Sequence, residues 1–251
     1  VITIGILTGN SLSDFNFNVL SNILRDESIK IKIAISERAP SKTLFQKIQK
    51  NIKRGRGGYI MIMAIHRLLS NKKRKYNIDT FCEFNKIELF QTKDPYSNET
   101  VEKIKNCNLD MLILINGYGI IREPLLSITK YGILSYHHGD MRKYRGMPPA
   151  LWELYNNETE MGVTVQLLEK GLDCGSPIIE KKITIEKKDN LTKLKMKALK
   201  QSENMMHEAI FRVSKKDFQL EKLEKLGNIY TLPNLRQWLI LQMKLILRQF
   251  N

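Results

Sequence analysis

Three cysteines, Cys82, Cys107 and Cys174, are spread through 251 residues. They are too few and too scattered for a disulfide framework, and no CxxC pair offers a metal site. No apolar run is long enough to span a bilayer, and no internal repeat or low-complexity tract breaks the chain. No charged leader precedes the strand-like VITIGIL with which it opens. Those absences read as a globular, cytoplasmic protein. Acidic residues are missing from one stretch altogether: Ser41 to Lys75 holds eleven Lys or Arg and no Asp or Glu. With a formal net charge of +15, such a field favours a polyanion, an anionic membrane surface or a phosphorylated substrate. A solvated basic face in a lysine-rich chain accounts for it equally well.

What is present is ordinary globular material. A composition of 42% hydrophobic and 27% charged residues excludes disorder and leaves room for one large domain, or one domain with an appendage. VITIGILTG and IKIKIAIS are β-branched runs ending in turn residues. Between them SDFNFNVLSNILRDES places Phe15, Val19 and Ile23 at helical spacing. DMLILING, from Asp110 to Gly117, is a continuous apolar run, the signature of a strand buried on both faces of a parallel sheet. SNETVEKIKNCN before it and EPLLSITKY after it continue a β-α-β-α-β alternation. The fold class is therefore α/β: a Rossmann-like, mostly parallel sheet with helices on both faces.

Two segments sit outside that plan. NIKRGRGGYIMIMAIHRLLSNKKRKYN reads as an amphipathic helix between loops, within a basic insertion over about 41–77. From Lys187 the chain reads as mainly helical: one long helix around NLTKLKMKALKQSENMMHEAIFRV, and a closing helix, NLRQWLILQMKLILRQF. In the latter Trp238, Leu241, Leu245 and, less exactly, Leu247 share a side, and packing over the core is the first reading of that stripe. The division is thus 1–186 for a catalytic unit and 187–251 for a helical C-terminal extension.

The densest polar stretch is LSYHHGDMRKYRG, Leu134 to Gly146. Adjacent strand residues point to opposite faces, so Ser135 and His137 share one face, with Leu134, Tyr136 and His138 on the other. Ligands of open α/β sheets bind beyond the carboxyl ends of the strands. A histidine there is a candidate acid, base or electrostatic stabiliser. On spacing alone, a histidine satisfied by its own loop is the commoner case. His137, His138 and Asp140 have poor spacing for a metal and no fourth ligand. A second candidate is GVTVQLLEKGLDCG, Gly162 to Gly175, where Val163, Val165 and Leu167 alternate as a half-buried strand. Two glycines then bracket Asp173, a carboxylate placed to orient a histidine and favour its imidazolium form.

The run GYGIIREPLLSITKYGILSYHHGDMRKYRGMPPALWELYNNETEMGVTVQLLEKGLDCGSPII resembles the folate-dependent formyltransferases. That family includes methionyl-tRNA formyltransferase, glycinamide ribonucleotide formyltransferase and the N-formyltransferases of nucleotide-linked amino sugars. The likeness is carried by GILSYH, KYRG, ETEMGVTV and EKGLDCG, and runs without a gap from about Asn116 to Ile179. It implies transfer of the formyl group of 10-formyltetrahydrofolate to a primary amine, by a catalytic Asn, His and Asp. His137 matches the histidine and Asp173 the aspartate. His137, charged through Asp173, would stabilise the oxyanion formed when the amine attacks. The family's backbone-lined folate pocket corresponds to Tyr118, Gly119, Ile120 and Ile121, and to Leu168, Glu169, Gly171 and Leu172.

The chain departs from the family where the catalytic Asn belongs, two residues before the histidine: Ser135 stands there. A Ser hydroxyl is a shorter donor than an Asn amide, and loss of one oxyanion donor typically slows a reaction about 100- to 1000-fold. HHGD also replaces the Ser-Leu-Leu-like part of the family's loop. The leading expectation is formylation of a small amine, an amino sugar on a nucleotide or phosphate carrier, which suits the basic charge. Methionyl-tRNA or glycinamide ribonucleotide is the alternative acceptor. The former enzyme normally carries a C-terminal barrel, for which the helical pattern after residue 187 leaves too few residues. A non-catalytic folate-binding homologue stays open because of Ser135, and a 10-formyltetrahydrofolate hydrolase because water could replace the amine. As partners, nucleic acid is not favoured, and a homodimer or a peripheral membrane contact through the closing helix is left to experiment.

Overall fold

The computed structural model describes residues 1–38, 44–53, 55 and 74–250. Seven strands form one sheet: β1 (Ile2–Thr8), β3 (Ile29–Glu37), β5 (Glu88–Thr92), β6 (Met111–Leu114), β7 (Ile133–His137), β9 (Glu160–Leu167) and β10 (Ser176–Thr184). Their order is β10-β9-β7-β6-β1-β3-β5. The pairs from β7 through β6, β1 and β3 to β5 are parallel, whereas β9 runs antiparallel to β7 and β10 to β9. The chain leaves β1 in one direction and returns to its other side at β6, so strand order reverses between them. The mouth of such a reversal is where open α/β sheets take ligands. Asn116 closes it: its Oδ1 accepts from Gly9 N at 2.7 Å and its Nδ2 donates to Ser11 O at 3.1 Å.

Helices cover both faces. On one lie α1 (Asp14–Leu24), α3 (Ile78–Phe84), α5 (Leu151–Tyr155), α6 (Leu191–Ser202) and α7 (Met205–Ser214), sharing a core with Ile4, Ile6, Leu134 and Val163. On the other, α4 (Asn98–Asn106) packs Ile104 with Leu7, Ile35, Leu112, Tyr118 and Ile121. A basic helix, α2 (Leu44–Lys53), follows β3, and the short β2 (Ser11–Ser13) pairs antiparallel with β4 (Lys75–Asn77). Ser13, Asn77, Ser97 and Asn190 cap α1, α3, α4 and α6 through their side chains, the residue types that satisfy orphan N–H groups there. Most of the amphipathic helix expected over 51–77 lies outside the described residues.

Four local expectations change. EPLLSITKY forms only a single 3-10 turn, Leu125–Ser127, with Leu125 buried and Leu126 and Ile128 packed against the same cluster. Strand β9 is not half-buried: Thr164 and Gln166 are as buried as Val163 and Val165, since β9 lies inside the sheet between β7 and β10. The long helix near 190–213 is two helices, and Tyr136 breaks them. Its hydroxyl donates to Ser202 O at 2.6 Å and accepts from Met206 N at 3.0 Å, replacing the i→i−4 bond that would have joined them. Residues 215–234 then run outside helices, and β11 (Asn228–Tyr230) pairs parallel with β8 (Tyr144–Gly146).

The closing helix α8 (Leu235–Phe250) covers the core with Leu241, fully buried, and with Trp238 and Leu245 packed beside it. Leu247 is 57% exposed and leaves the expected stripe, because two residues beyond Leu245 a helix has turned about 200°. Among the described residues no helix is long and apolar enough to cross a membrane.

Candidate active site

The site begins at β7. Its register with β9 sets Ser135 opposite Gln166 and His137 opposite Thr164, and directly paired residues share a face. His137 is 5% exposed. Its Nδ1 lies 3.3 Å from Asp173 Oδ2, and its Nε2 lies 2.7 Å from the carbonyl oxygen of Tyr144. Both partners only accept, and only the imidazolium has a donor at each nitrogen. Burial pulls the His137 pKa down, but Asp173 and the Tyr144 carbonyl outweigh it, so the pKa is raised.

Asp173 is held from three segments. Gly146 N donates to Oδ2 at 2.7 Å, Gln166 Nε2 donates to Oδ1 at 3.2 Å, and His137 faces Oδ2. Burial raises the Asp173 pKa, yet His137 and these hydrogen bonds leave it lowered. Its backbone has φ +46°, a left-handed conformation that a non-glycine residue keeps only when its surroundings enforce it. The turn between glycines visible in the sequence is therefore an aspartate presented under constraint.

Ser135 is buried on the same face, and among the described residues its hydroxyl makes no hydrogen bond. His138 points the other way: its ring stacks on Tyr136 at 5.5 Å and meets Phe15 edge-on at 5.3 Å. Burial, then the charge of His137, depresses its pKa to about 3, and its Nε2 has no partner. His138 is a half-buried ring packed on Tyr136 and Phe15, and it borders the same recess as His137.

The two segments matched to a folate pocket converge unevenly. Tyr118 and Ile121 are buried in the second core cluster, with Leu168 packed against it; the Tyr118 hydroxyl donates to Ile35 O at 2.8 Å. Gly119 has φ +65° and open space where a Cβ would be, and Ile120 is exposed. Glu169 Oε1 accepts from Ser176 Oγ at 2.9 Å, Gly171 has φ +131°, and Leu172 O receives the Cys174 thiol. Among the described residues, the backbone N–H and C=O groups of 119–121 and 169–171 form no hydrogen bonds with other backbone groups. Two stretches of unpaired amides beside an apolar cluster fit a flat heterocycle edged with donors and acceptors.

Besides the Gln166 amide on Asp173, three contributors were not legible in the residues. Gly146 N and Tyr144 O belong to KYRG, whose backbone, not its side chains, touches the His–Asp pair. Glu153, 2% exposed in α5, lines a recess with His137, Tyr144 and Gly146. Burial pushes its carboxyl up to about 7, against the attraction of His137. A glutamate inside the apolar run LWELY was the available signal. Among the described residues no cluster of His, Cys, Asp and Glu could hold a metal ion.

Fold and site together define a Rossmann-like α/β protein with a buried histidine paired to a half-buried aspartate at the carboxyl end of a central strand. Residues 29–210 match the family described as formyl transferase, and the chain belongs to that family. Methionyl-tRNA formyltransferase of Fusobacterium nucleatum is 24% identical over 155 residues, covering 61% of this chain and 50% of the relative. The Synechocystis enzyme of the same name is 37% identical over 95 residues, 38% of this chain and 28% of that one. The chain spans about half the length of such curated relatives, or less. Among solved structures, phosphoribosylglycinamide formyltransferase from Anaplasma phagocytophilum superposes with TM-score 0.60 at 15% identity, over 92% of this chain and 99% of that one. The N-formyltransferase from Helicobacter canadensis, in complex with folinic acid and dTDP-3-aminofucose, gives 0.59 at 16% identity, over 92% and 71%. At these identities the structures speak for the fold.

Proposed function

We propose that this protein transfers a formyl group from 10-formyltetrahydrofolate to a primary amine. The observation that carries the reading is the ring of His137, held between two acceptors, Asp173 and Tyr144 O, beside the unengaged hydroxyl of Ser135. The folate supplies the formyl group. Tyr118, Gly119, Ile120 and Ile121 on one side, and Leu168, Glu169, Gly171 and Leu172 on the other, would hold it through their free backbone groups. Negative charge gathers on the formyl oxygen as the amine adds, and a preformed positive charge there lowers the barrier. His137 supplies that charge, and its Nε2–H passes from Tyr144 O to the developing anion. Ser135 Oγ adds a short donor on the same face, where an Asn amide would reach further. Asp173 keeps His137 protonated and, through water, takes the proton shed by the amine. Collapse of the adduct breaks the bond from the formyl carbon to N10 of the folate, that proton passes to N10, and tetrahydrofolate leaves.

In this reading residues 1–186 form the catalytic unit, 187–251 an extension covering it, and the setting is cytoplasmic. Two acceptors are kept. Charged tRNA is favoured by the curated relatives and by the net charge of +15. A nucleotide- or phosphate-linked amino sugar is favoured by the ligand named with the Helicobacter canadensis structure. The test offers 10-formyltetrahydrofolate with methionyl-tRNA, nucleotide-linked amino sugars and glycinamide ribonucleotide in parallel, following product mass and released tetrahydrofolate. Release without a formylated acceptor would make the protein a hydrolase; binding without release would make it a non-catalytic homologue. A homodimer or a peripheral membrane contact would use the exposed Leu239, Met243 and Ile246 of α8. Sedimentation equilibrium and pelleting with anionic vesicles at low salt test these two readings.

A further inference from the structure

We infer that Gln166 is a positioning residue: its buried amide pins both sides of the turn carrying Asp173 and so holds that carboxylate against His137. The inference deepens the proposed reading of this site and rests on that reading for its catalytic consequence.

Gln166 is a polar side chain in an apolar strand. It is 1% exposed, between Val165 and Leu167 on β9. A buried amide is costly unless both its ends are bonded. Both are: Nε2 donates to Asp173 Oδ1 at 3.2 Å, and Oε1 accepts from Gly175 N at 3.1 Å. One partner only accepts and the other only donates, so the amide has a single workable orientation. Residues 173 and 175 flank Cys174, and the amide grips the turn on either side of it. The grip is close. A Cβ on Gly175 would fall 2.1 Å from Leu167 O and 2.8 Å from Gln166 Oε1, so the turn lies flat on β9. Between those two anchors Asp173 keeps φ +46°.

The result is a division of labour at the carboxylate. Oδ1 belongs to Gln166, which leaves Oδ2 to Gly146 N and His137. Other groups reach His137: Glu153 from α5, adjacent His138, and the Tyr144 carbonyl. Gln166 carries no charge. Replacing it with a neutral residue therefore alters placement and hydrogen bonding without altering net charge. A leucine or methionine would fill the same volume, so packing by itself does not call for an amide.

The test uses the full chain and two isosteric variants. Gln166→Met removes both bonds; Gln166→Glu keeps the acceptor for Gly175 N, loses the donor to Asp173 and adds a charge. The titration of the His137 ring, followed by NMR, needs no acceptor. Its midpoint should move down in the Met variant, because Asp173 is no longer held against it. It should move up in the Glu variant, because a second carboxylate joins the pair. In both, kcat should fall about 100-fold, with KM for 10-formyltetrahydrofolate little changed. Unmoved His137 midpoints in folded variants overturn the inference. Midpoints that move as stated, in a protein that formylates no acceptor, sustain the positioning role and remove the formyl-transfer reading. If the Met variant fails to fold, Gln166→Leu, which also removes both bonds and adds no charge, is read in its place, with the same downward midpoint expected.

Discussion

The carbonyl oxygen of Tyr144 lies 2.7 Å from Nε2 of His137, seven residues earlier in the chain. It occupies the imidazole nitrogen that Asp173 leaves free. Two acceptors, one at each ring nitrogen, favour the protonated form of His137 before any substrate arrives, and the KYRG segment supplies one of them. The charge is therefore preorganised, the condition under which electrostatic stabilisation is most effective.

His137→Ala should reduce formyl transfer at least about 1000-fold while folate binding, read by fluorescence titration, persists. Asp173→Asn should lower the His137 pKa, so activity is lost at a lower pH on the basic side of the kcat profile. The signs follow from linkage. The Asp173 contribution is present above its ordinary 3.8 and lost as pH falls through its depressed value. The His137 contribution is full below its ordinary 6.5 and lost as pH rises through its raised value. Stability lost in His137→Ala should thus be greatest between those two ordinary values. His138→Ala should leave turnover nearly intact; an essential His138 with a dispensable His137 would reverse the assignment.

Ser135→Ala should lower kcat with little change in folate affinity, since its hydrogen bond would form chiefly in the transition state. Ser135→Asn restores a longer donor beside His137 and should match or exceed the unsubstituted rate. Turnover that is the same in Ser135→Ala removes Ser135 from the mechanism.

Glu153 carries a stability signature of its own. Its carboxyl is raised from an ordinary 4.5 to about 7 by burial. Between those values the folded state binds more protons than the unfolded, so stability falls as pH rises. Glu153→Gln should be of the order of 3 kcal/mol more stable relative to the natural residue at pH 8 than at pH 4. Urea unfolding at both pH values reads this, and a difference independent of pH would contradict it.

Gly146 is a backbone device. It has φ +88°, and a Cβ there would fall 2.2 Å from Tyr230 O, while its N–H holds Asp173. Gly146→Ala should separate β8 from β11, destabilise the protein by about 3 kcal/mol or more, and depress turnover. A variant with unchanged Tm and kcat would show that the loop yields without consequence.

The residues alone determined the periodic and local features. Alternation fixed which face of β7 carries Ser135 and His137, and put His138 opposite, because side-chain period is a property of one strand. Continuous apolar runs announced buried parallel strands, and GLDCG announced the turn that presents Asp173. Tertiary structure decided what depends on distant partners. Nothing in ELYNNETEMGVTVQLL says that β9 is flanked on both sides, so the burial of Thr164 and Gln166 was hidden. Nothing in NLTKLKMKALKQSENMMHEAIFRV says that a tyrosine from β7 will stand between Ser202 and Met206. The site divides the same way. His137 and Asp173 were legible as side chains, but the groups that hold them include the backbone of Tyr144 and Gly146 and the amide of Gln166. A backbone N–H or C=O is the same in every sequence, so its role is set only by where the fold delivers it.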